Sequence, residues 1–305
     1  MEKIILFLTV LYCALTSCTK EKTDYESEID VVVPTPGVFE EVKSFQNGPY
    51  TLHLEALNGS LYKGYNAIRL KITSQGQPSP SAATLLPIVT RDDDYTSSCP
   101  HSYHLIYKAE EGYFEGYIVF TDESTATATW DLYIGFATVD QQYSSNQKIS
   151  VQPQNNKNLN MTSFIGNDGE QYFIALLAPQ KPKVAENDLI AGIYKFNKPA
   201  VASTNASLDP SQFSYSEVEG YTLQLDPRMP EPSMGNHSSP NNRDLKQGTD
   251  KLYHGIVNYT MTGNWTLNFI MLNQHGRIVK GTTVPDDFTP GVEGVKSELH
   301  IDILF

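Results

Sequence analysis

Cysteine is nearly missing from this chain: Cys13, Cys18 and Cys99 are the three among 305 residues. Cys13 and Cys18 fall in an N-terminal segment that reads as processed, which leaves Cys99 as a lone thiol and excludes an internal disulfide. An exported protein without disulfides has to rest on a hydrophobic core or on metal. Positive charge is short as well, with 22 Lys and Arg against 35 Asp and Glu and a formal net charge of −13. That balance argues against nucleic acid as a partner and against electrostatic adhesion to anionic lipid. Beyond residue 17 no convincing stretch repeats apolar residues at i, i+3, i+4, so amphipathic helices drop out of the expected elements. Catalytic signatures are lacking too: there is no Gly-x-Ser-x-Gly elbow, no His-Glu-x-x-His and no phosphate-cradling glycine loop. Cys99 and His101 are of nucleophile and base type, but neighbours on one extended segment point the wrong way for proton transfer. The chain reads as non-enzymatic.

An apolar run from Ile4 to Leu11 follows Glu2 and Lys3 and ends in Leu15-Thr16-Ser17-Cys18. It is too short and wrongly flanked for a spanning helix, so residues 1–17 read as an export signal. Its end resembles a bacterial lipobox. The resemblance implies cleavage before Cys18 and acylation of that residue, with several acyl chains anchoring stably where one would not. The expected address is the outer membrane, with its periplasmic and surface faces both open. Residues 18–45 are polar, mixed in charge and carry Pro34 and Pro36, the composition of a tether. About 288 residues follow the signal, enough for two cores of ordinary size.

Those residues fall into two similar halves. Tyr50-Thr51-Leu52-His53-Leu54 followed by the strand around Asn66 corresponds to Tyr172-Phe173-Ile174-Ala175-Leu176 followed by the strand around Asn187. Further on, Tyr113 to Val119 pairs with Tyr253 to Val257, and Trp130 to Phe136 pairs with Trp265 to Met271. The segments alternate with a period of two: Ile68, Leu70 and Ile72 share a face, as do Trp265, Leu267, Phe269 and Met271, and at the end of the chain Leu299, Ile301, Ile303 and Phe305. Alternation of this kind predicts strands with one buried face. With 18 prolines and 20 glycines, the expected fold is all-β, two tandem Ig-like β-sandwiches. The first is expected over 46–151 and the second over 167–305, joined by a polar linker at 152–166.

Between Pro227 and Leu267 the residues resemble a known pattern. Pro227, Met229, Met234, Gly235, His237, Pro240, Tyr253, Gly255, Val257, Met261, Gly263, Trp265 and Leu267 are similar to the motif of the YtkA-like domain and its FixH relatives. The first half matches at Asn66, Pro87, Pro100, Tyr113, Gly116, Val119 and Trp130, but it replaces the methionine-rich element with Leu86-Pro87-Ile88-Val89 and Ser98-Cys99-Pro100-His101. The resemblance implies an Ig-like sandwich outside the cytoplasm and a theme of copper handling.

Thioethers and imidazole are donors that suit Cu(I). A Met-x4-Met-x2-His segment on a proline-rich loop can bring Met229, Met234 and His237 around one ion, with Met261 or His254 assisting. The alternative is structural: methionine fills irregular gaps well, and His237 is then an ordinary hydrogen-bonded loop residue. A weaker metal reading falls on Cys99, His101 and His104, beside Asp92, Asp93 and Asp94; thiolate with imidazole suits zinc or copper. A lone cysteine is more often a small buried hydrophobe, and the aspartates lack calcium-loop spacing. Two functions follow: a copper-binding envelope lipoprotein, or a protein- or glycan-binding accessory module of an outer-membrane transporter that holds no metal. The 18 tyrosines bear on the second, since their rings can stack on sugars.

Overall fold

From Tyr50 to Leu57 the residues alternate between buried and half-buried without a break, as a strand lying on a core requires. The same alternation recurs along the computed structural model, which describes residues 38–92, 95–201 and 209–305. The expected export signal, Cys18 with its expected acylation, most of the expected tether and Asp93 and Asp94 lie outside the described residues. Within them there is no α-helix, and the chain is all-β.

Among the described residues the first half holds eleven strands: β1 (Phe39–Asn47), β2 (Tyr50–Leu57), β3 (Leu61–Tyr62), β4 (Gly64–Ser74), β5 (Ala82–Arg91), β6 (Thr96–Ser97), β7 (Ile106–Lys108), β8 (Tyr113–Phe120), β9 (Ala128–Ala137), β10 (Gln142–Ile149) and β11 (Val151–Gln152). One sheet runs β1-β2-β4-β8-β7 and the facing sheet β10-β9-β5-β6. Leu52, Leu54, Leu70 and Phe120 of the first sheet meet Leu85, Trp130, Leu132 and Ile134 of the second in one core. Four strands against three, β2-β4-β8-β7 over β5-β9-β10, is the ABED/CFG arrangement of an immunoglobulin sandwich.

The second half repeats it with β12 (Met161–Ile165), β13 (Gln171–Ala178), β14 (Glu186–Phe196), β15 (Tyr215–Glu217), β16 (Thr222–Met229), β17 (His237–Ser238), β18 (Arg243–Gln247), β19 (Tyr253–Asn258), β20 (Asn264–Leu272), β21 (Ile278–Lys280) and β22 (Leu299–Leu304). Strands β13-β14-β19-β18 stand for β2-β4-β8-β7, and β16-β20-β22 for β5-β9-β10. Here β16 also pairs with β18 at Thr222↔Lys246 and Leu223↔Leu245, which joins the two layers along one edge. Trp265, Leu267, Phe269 and Met271 are fully buried in this core.

The repeat holds with one shift. Asn66 faces Ile118 and Ile68 faces Gly116, while Asn187 faces Val257 and Leu189 faces Gly255. The glycines correspond, but Phe114 rather than Tyr113 stands where Tyr253 does, and Ile118 rather than Val119 where Val257 does. The first half has one more residue between its tyrosine and its glycine, which slides the sequence match by a position.

Two boundaries move. Strand β1 pairs with β2 from Phe39↔Leu57 onward, and Val42 and Phe45 pack on the core, so residues 39–45 belong to the sheet rather than to the tether. A bulge between Glu41 and Lys43 breaks the alternation that would have marked the strand. The expected linker 152–166 is also largely structured. Gln152 pairs with Tyr62 in the first half, and Met161–Ile165 pairs with β13 in the second. Its asparagines bind backbone: Asn158 Nδ2 donates to Leu304 O at 3.1 Å and Asn160 Nδ2 to Asp302 O at 3.1 Å. Polar composition here reports side chains fastening a short connection, not a solvated spacer.

The halves meet over aromatic rings. Tyr65 and Tyr117, on the outer face of the first sheet, stack at 5.8 Å. Tyr117 lies 5.1 Å from Tyr194 of the second half, and Val119, Phe173, Ala175 and Tyr194 form a small buried cluster between the sandwiches. Tyr215 donates its hydroxyl to Ser98 O at 2.7 Å across the junction.

Candidate functional site

Strand β16 ends at Met229, with Pro227 opposite Leu267 and Arg228 opposite Thr266 on β20. The chain then reverses in a tight loop: Met234 N donates to Glu231 O at 2.8 Å and His237 N to Met234 O at 3.2 Å. Gly235 (φ 64) and Asn236 (φ 53) both take the left-handed conformation, open to glycine and tolerated by asparagine. The reversal sets His237 of β17 directly opposite Met229. Paired residues of an antiparallel ladder project to the same face, so the thioether and the imidazole share a side.

That side is the end of the second core. Met229 is 1 % exposed, and its methyl packs so closely on Gly263 that a β-carbon there would come within 2.8 Å of it. The His237 ring stands 6.1 Å from that of Trp265, and its Nε2 lies 2.9 Å from Thr260 Oγ1. Trp265 donates its indole N–H to Met261 O at 3.0 Å, which ties the loop before β20 to the same place. Met234 and Met261 are half-buried against this core. The His237 ring and the Met261 carbonyl thus both meet Trp265, Met229 is the ladder partner of His237, and Met234 and Met261 pack on the same core.

His254 is elsewhere. It faces Ile190 and Lys246 near the start of β19, is exposed, and pairs with Asp250 at 3.0 Å. The strand carries it away from the methionines, which lie beyond the far end of β19, so His254 does not join the cluster.

The first-half set also separates. Cys99 is fully buried in the first core, and burial pushes its thiol well up, which keeps it protonated and a poor ligand. The chain bends at Pro100. His101 then lies at the junction, 6.0 Å ring to ring from Tyr215, with Nδ1 2.7 Å from the Cys99 carbonyl. Burial lowers its pKa to about 4, so the ring is neutral and Nδ1–H donates. His104 is exposed on a bridge to Thr84. Among the described residues no three His, Cys, Asp or Glu side chains converge as ligands, and Cys99, His101 and His104 are no exception.

Register also identifies the counterpart of the methionine element in the first half. Val89 faces Ser97 on β6 as Met229 faces His237 on β17, and Pro87 faces Leu132 as Pro227 faces Leu267. The thioether and the imidazole of the second half thus stand where the first has an isopropyl group and a hydroxyl.

A brace around the loop was not apparent from sequence. Arg228, on the opposite face from Met229 and 8 % exposed, donates through Nε to Asp226 at 2.9 Å and through a terminal nitrogen to Asp286. Gly294 N donates to Pro230 O at 2.6 Å, and Asn236 Nδ2 to Pro285 O at 3.1 Å. The irregular segment after β21 thereby straps the 230–236 loop. Asp226-x-Arg228 is a local signal for an ion pair; Asp286 comes from too far along the chain to be placed by spacing.

The candidate donors are three thioethers and one imidazole, with no carboxylate in the set. Such soft donors favour Cu(I) over hard cations.

No family model and no curated protein matches the chain. Among solved structures it is similar to a DUF4426 family protein from Pseudomonas aeruginosa, at 12 % identity over 35 % of this chain and 94 % of that one, with a TM-score of 0.24. A conserved domain protein from Bacillus anthracis is similar at 12 % identity over 88 % of this chain and 90 % of that one, TM-score 0.27. A DUF4785 family protein from Legionella pneumophila is similar at 9 % identity over 76 % of this chain and 55 % of its own length, TM-score 0.24. Likenesses this loose assign no chemistry to the chain.

Proposed function

We propose that this chain is a non-enzymatic lipoprotein of the bacterial outer membrane, anchored through Cys18, whose second YtkA-like sandwich holds Cu(I) on Met229, Met234, His237 and Met261. The reading rests on one observation above others: Met229 and His237 are ladder partners on one face, with Met234 and Met261 packed on the same core. The first sandwich carries Val89 and Ser97 at the paired positions, so it has no counterpart of these donors. A physiological partner for such a site is an envelope protein that supplies or accepts the ion. The rival, a metal-free accessory module serving a transporter, predicts no copper above background.

Titration of the purified protein with Cu(I) under reducing conditions, against a chromophoric chelator, tests the proposal. The expected result is one ion per chain, with tryptophan emission quenched through Trp265. Changing Met234 and His237 together to alanine is expected to weaken binding by at least about tenfold, or about 1.4 kcal/mol, while His254→Ala leaves it unchanged. Equal affinity in the wild type and in the Met229, Met234 and His237 triple alanine variant would sink the copper reading.

A further inference from the structure

We infer that the cleft between the two sandwiches is a binding site for a neutral, polyhydroxylated ligand of the carbohydrate class. The cleft measures about 340 Å³ and is walled by the β2–β3 turn and β4 of the first half, the 154–159 segment, and the end of β13 with its following turn. That volume lies at the lower end of the range for small-molecule sites, which favour domain junctions, and it has room for about one or two sugar rings. The inference is independent of copper, because no residue of the methionine cluster lines the cleft.

The lining chemistry selects the class. Charged residues make up 19 % of the chain, yet no Asp, Glu, Lys, Arg or His lines this cleft. A phosphate, carboxylate or ammonium ligand would find no counter-charge there, and burying it would be costly. The apolar part comes from leucines, Leu159 and Leu177 among them, and from the tyrosine rings of Tyr62 and Tyr65. The polar part divides in two. Asn66 and Asn156 are spent on structure: Asn66 Nδ2 donates to Tyr62 O at 2.6 Å, and Asn156 Nδ2 to Gln180 O at 2.8 Å. These bonds hold the wall in shape.

Asn58, Asn155 and Gln180 present side-chain amides that take no hydrogen bond among the described residues. A carboxamide both donates and accepts, and so does a sugar hydroxyl, so each free amide can serve a hydroxyl in either sense. A purely apolar ligand would leave those amides unpaired on desolvation. Apolar patches beside uncharged two-way hydrogen-bonding groups fit the C–H faces and hydroxyl edges of a pyranose.

The full mature protein can be examined by saturation-transfer NMR and calorimetry against a panel of neutral trisaccharides: maltotriose, cellotriose, mannotriose, xylotriose and chitotriose, with tetra-alanine as the peptide control. At least one sugar is expected to bind. Replacing Asn155 and Gln180 together by alanine is expected to weaken it at least about tenfold, and Ser60→Trp, which fills the cleft from the turn, to abolish it. Both changes lie at half-buried or exposed positions, and an unaltered melting temperature confirms that each variant is folded. Absence of binding by every sugar, binding unaffected in both variants, or tetra-alanine binding as tightly as the best sugar would each overturn the proposal. Copper saturation is expected to leave sugar affinity unchanged, so the failure of one proposal does not carry the other with it.

Discussion

Asn66 and Asn187 make the same set of hydrogen bonds in the two sandwiches. Asn66 Oδ1 accepts from Tyr62 N, and its Nδ2 donates to Tyr62 O and Gly64 O. Asn187 Oδ1 accepts from Lys183 N, and its Nδ2 donates to Lys183 O and Ala185 O. Each side chain closes the turn leading into the second central strand of its sheet, and each residue is 7 % exposed.

Removing either amide leaves a backbone N–H without its partner and takes one donor from each of two carbonyls, though Lys183 O and Ala185 O still accept from Ala185 N at 2.8 Å and Tyr259 N at 3.1 Å. An orphaned buried group costs about 1–3 kcal/mol. Asn66→Ala and Asn187→Ala are therefore each expected to destabilise the protein by roughly that amount, and by similar amounts, as measured by urea denaturation. Asp at either position keeps the acceptor but loses the donor, and is expected to recover only part of the loss. A neutral Asn187→Ala beside a costly Asn66→Ala would show that the two turns are not energetically equivalent.

How much of this was legible depends on the range over which each signal acts. The strand faces were readable because alternation is local: Ile68 and Leu70, or Leu267 and Phe269, announce their own burial, and all four are buried. The tandem repeat was readable because Asn66 and Asn187, Pro87 and Pro227, and Trp130 and Trp265 keep their order. Strand β1 was hidden by its bulge, and the 152–166 segment by asparagines whose amides bond to backbone of β22 more than a hundred residues away. At the site, grouping Met229, Met234 and His237 needed only a loop that curls, which Gly235 and Asn236 supply. Including His254 ignored the length of β19, and joining Cys99 to His101 ignored the bend at Pro100. The cleft between the halves involves residues from both domains and the connection between them, so no single stretch of sequence announces it.

His101 gives the junction a dependence on pH. Its pKa falls from 6.5 to about 4 because burial penalises the charged ring. The unfolded chain then binds this proton more readily than the native one, so the stabilisation is full above pH 6.5 and is lost as pH falls from there toward 4. The loss is on the order of 3 kcal/mol at most. Carboxylates with lowered values, such as Asp302, with Thr266 and Lys296 offsetting its burial, lose their contribution below their ordinary value of 3.8, and so mostly under this window. Urea midpoints measured from neutral pH down to about pH 4 are expected to fall for the wild type and to flatten in His101→Gln, which keeps a donor for the Cys99 carbonyl but does not titrate. A slope unchanged by the substitution would remove His101 as its source.

Met229 and Met234 separate packing from ligation. Met229 is 1 % exposed, seated on Gly263 and inside the second core, so Met229→Ala is expected to cost about 2–5 kcal/mol through lost burial and a residual cavity. Met234 is half-buried at the rim, so Met234→Ala is expected to cost far less, under about 1.5 kcal/mol. A ligand that binds only the native state raises stability by mass action. Cu(I) is therefore expected to raise the melting temperature of the wild type and to do so far less for the Met234→Ala, His237→Ala double variant, whose apo stability stays near normal. If methionine is there only to fill the sandwich end, Met229→Ala will be costly all the same, but Cu(I) will leave every melting temperature where it was. The two experiments together distinguish a gap-filling role from a coordinating one, because burial fixes the first outcome and only a shared ion links the second to Met234 and His237.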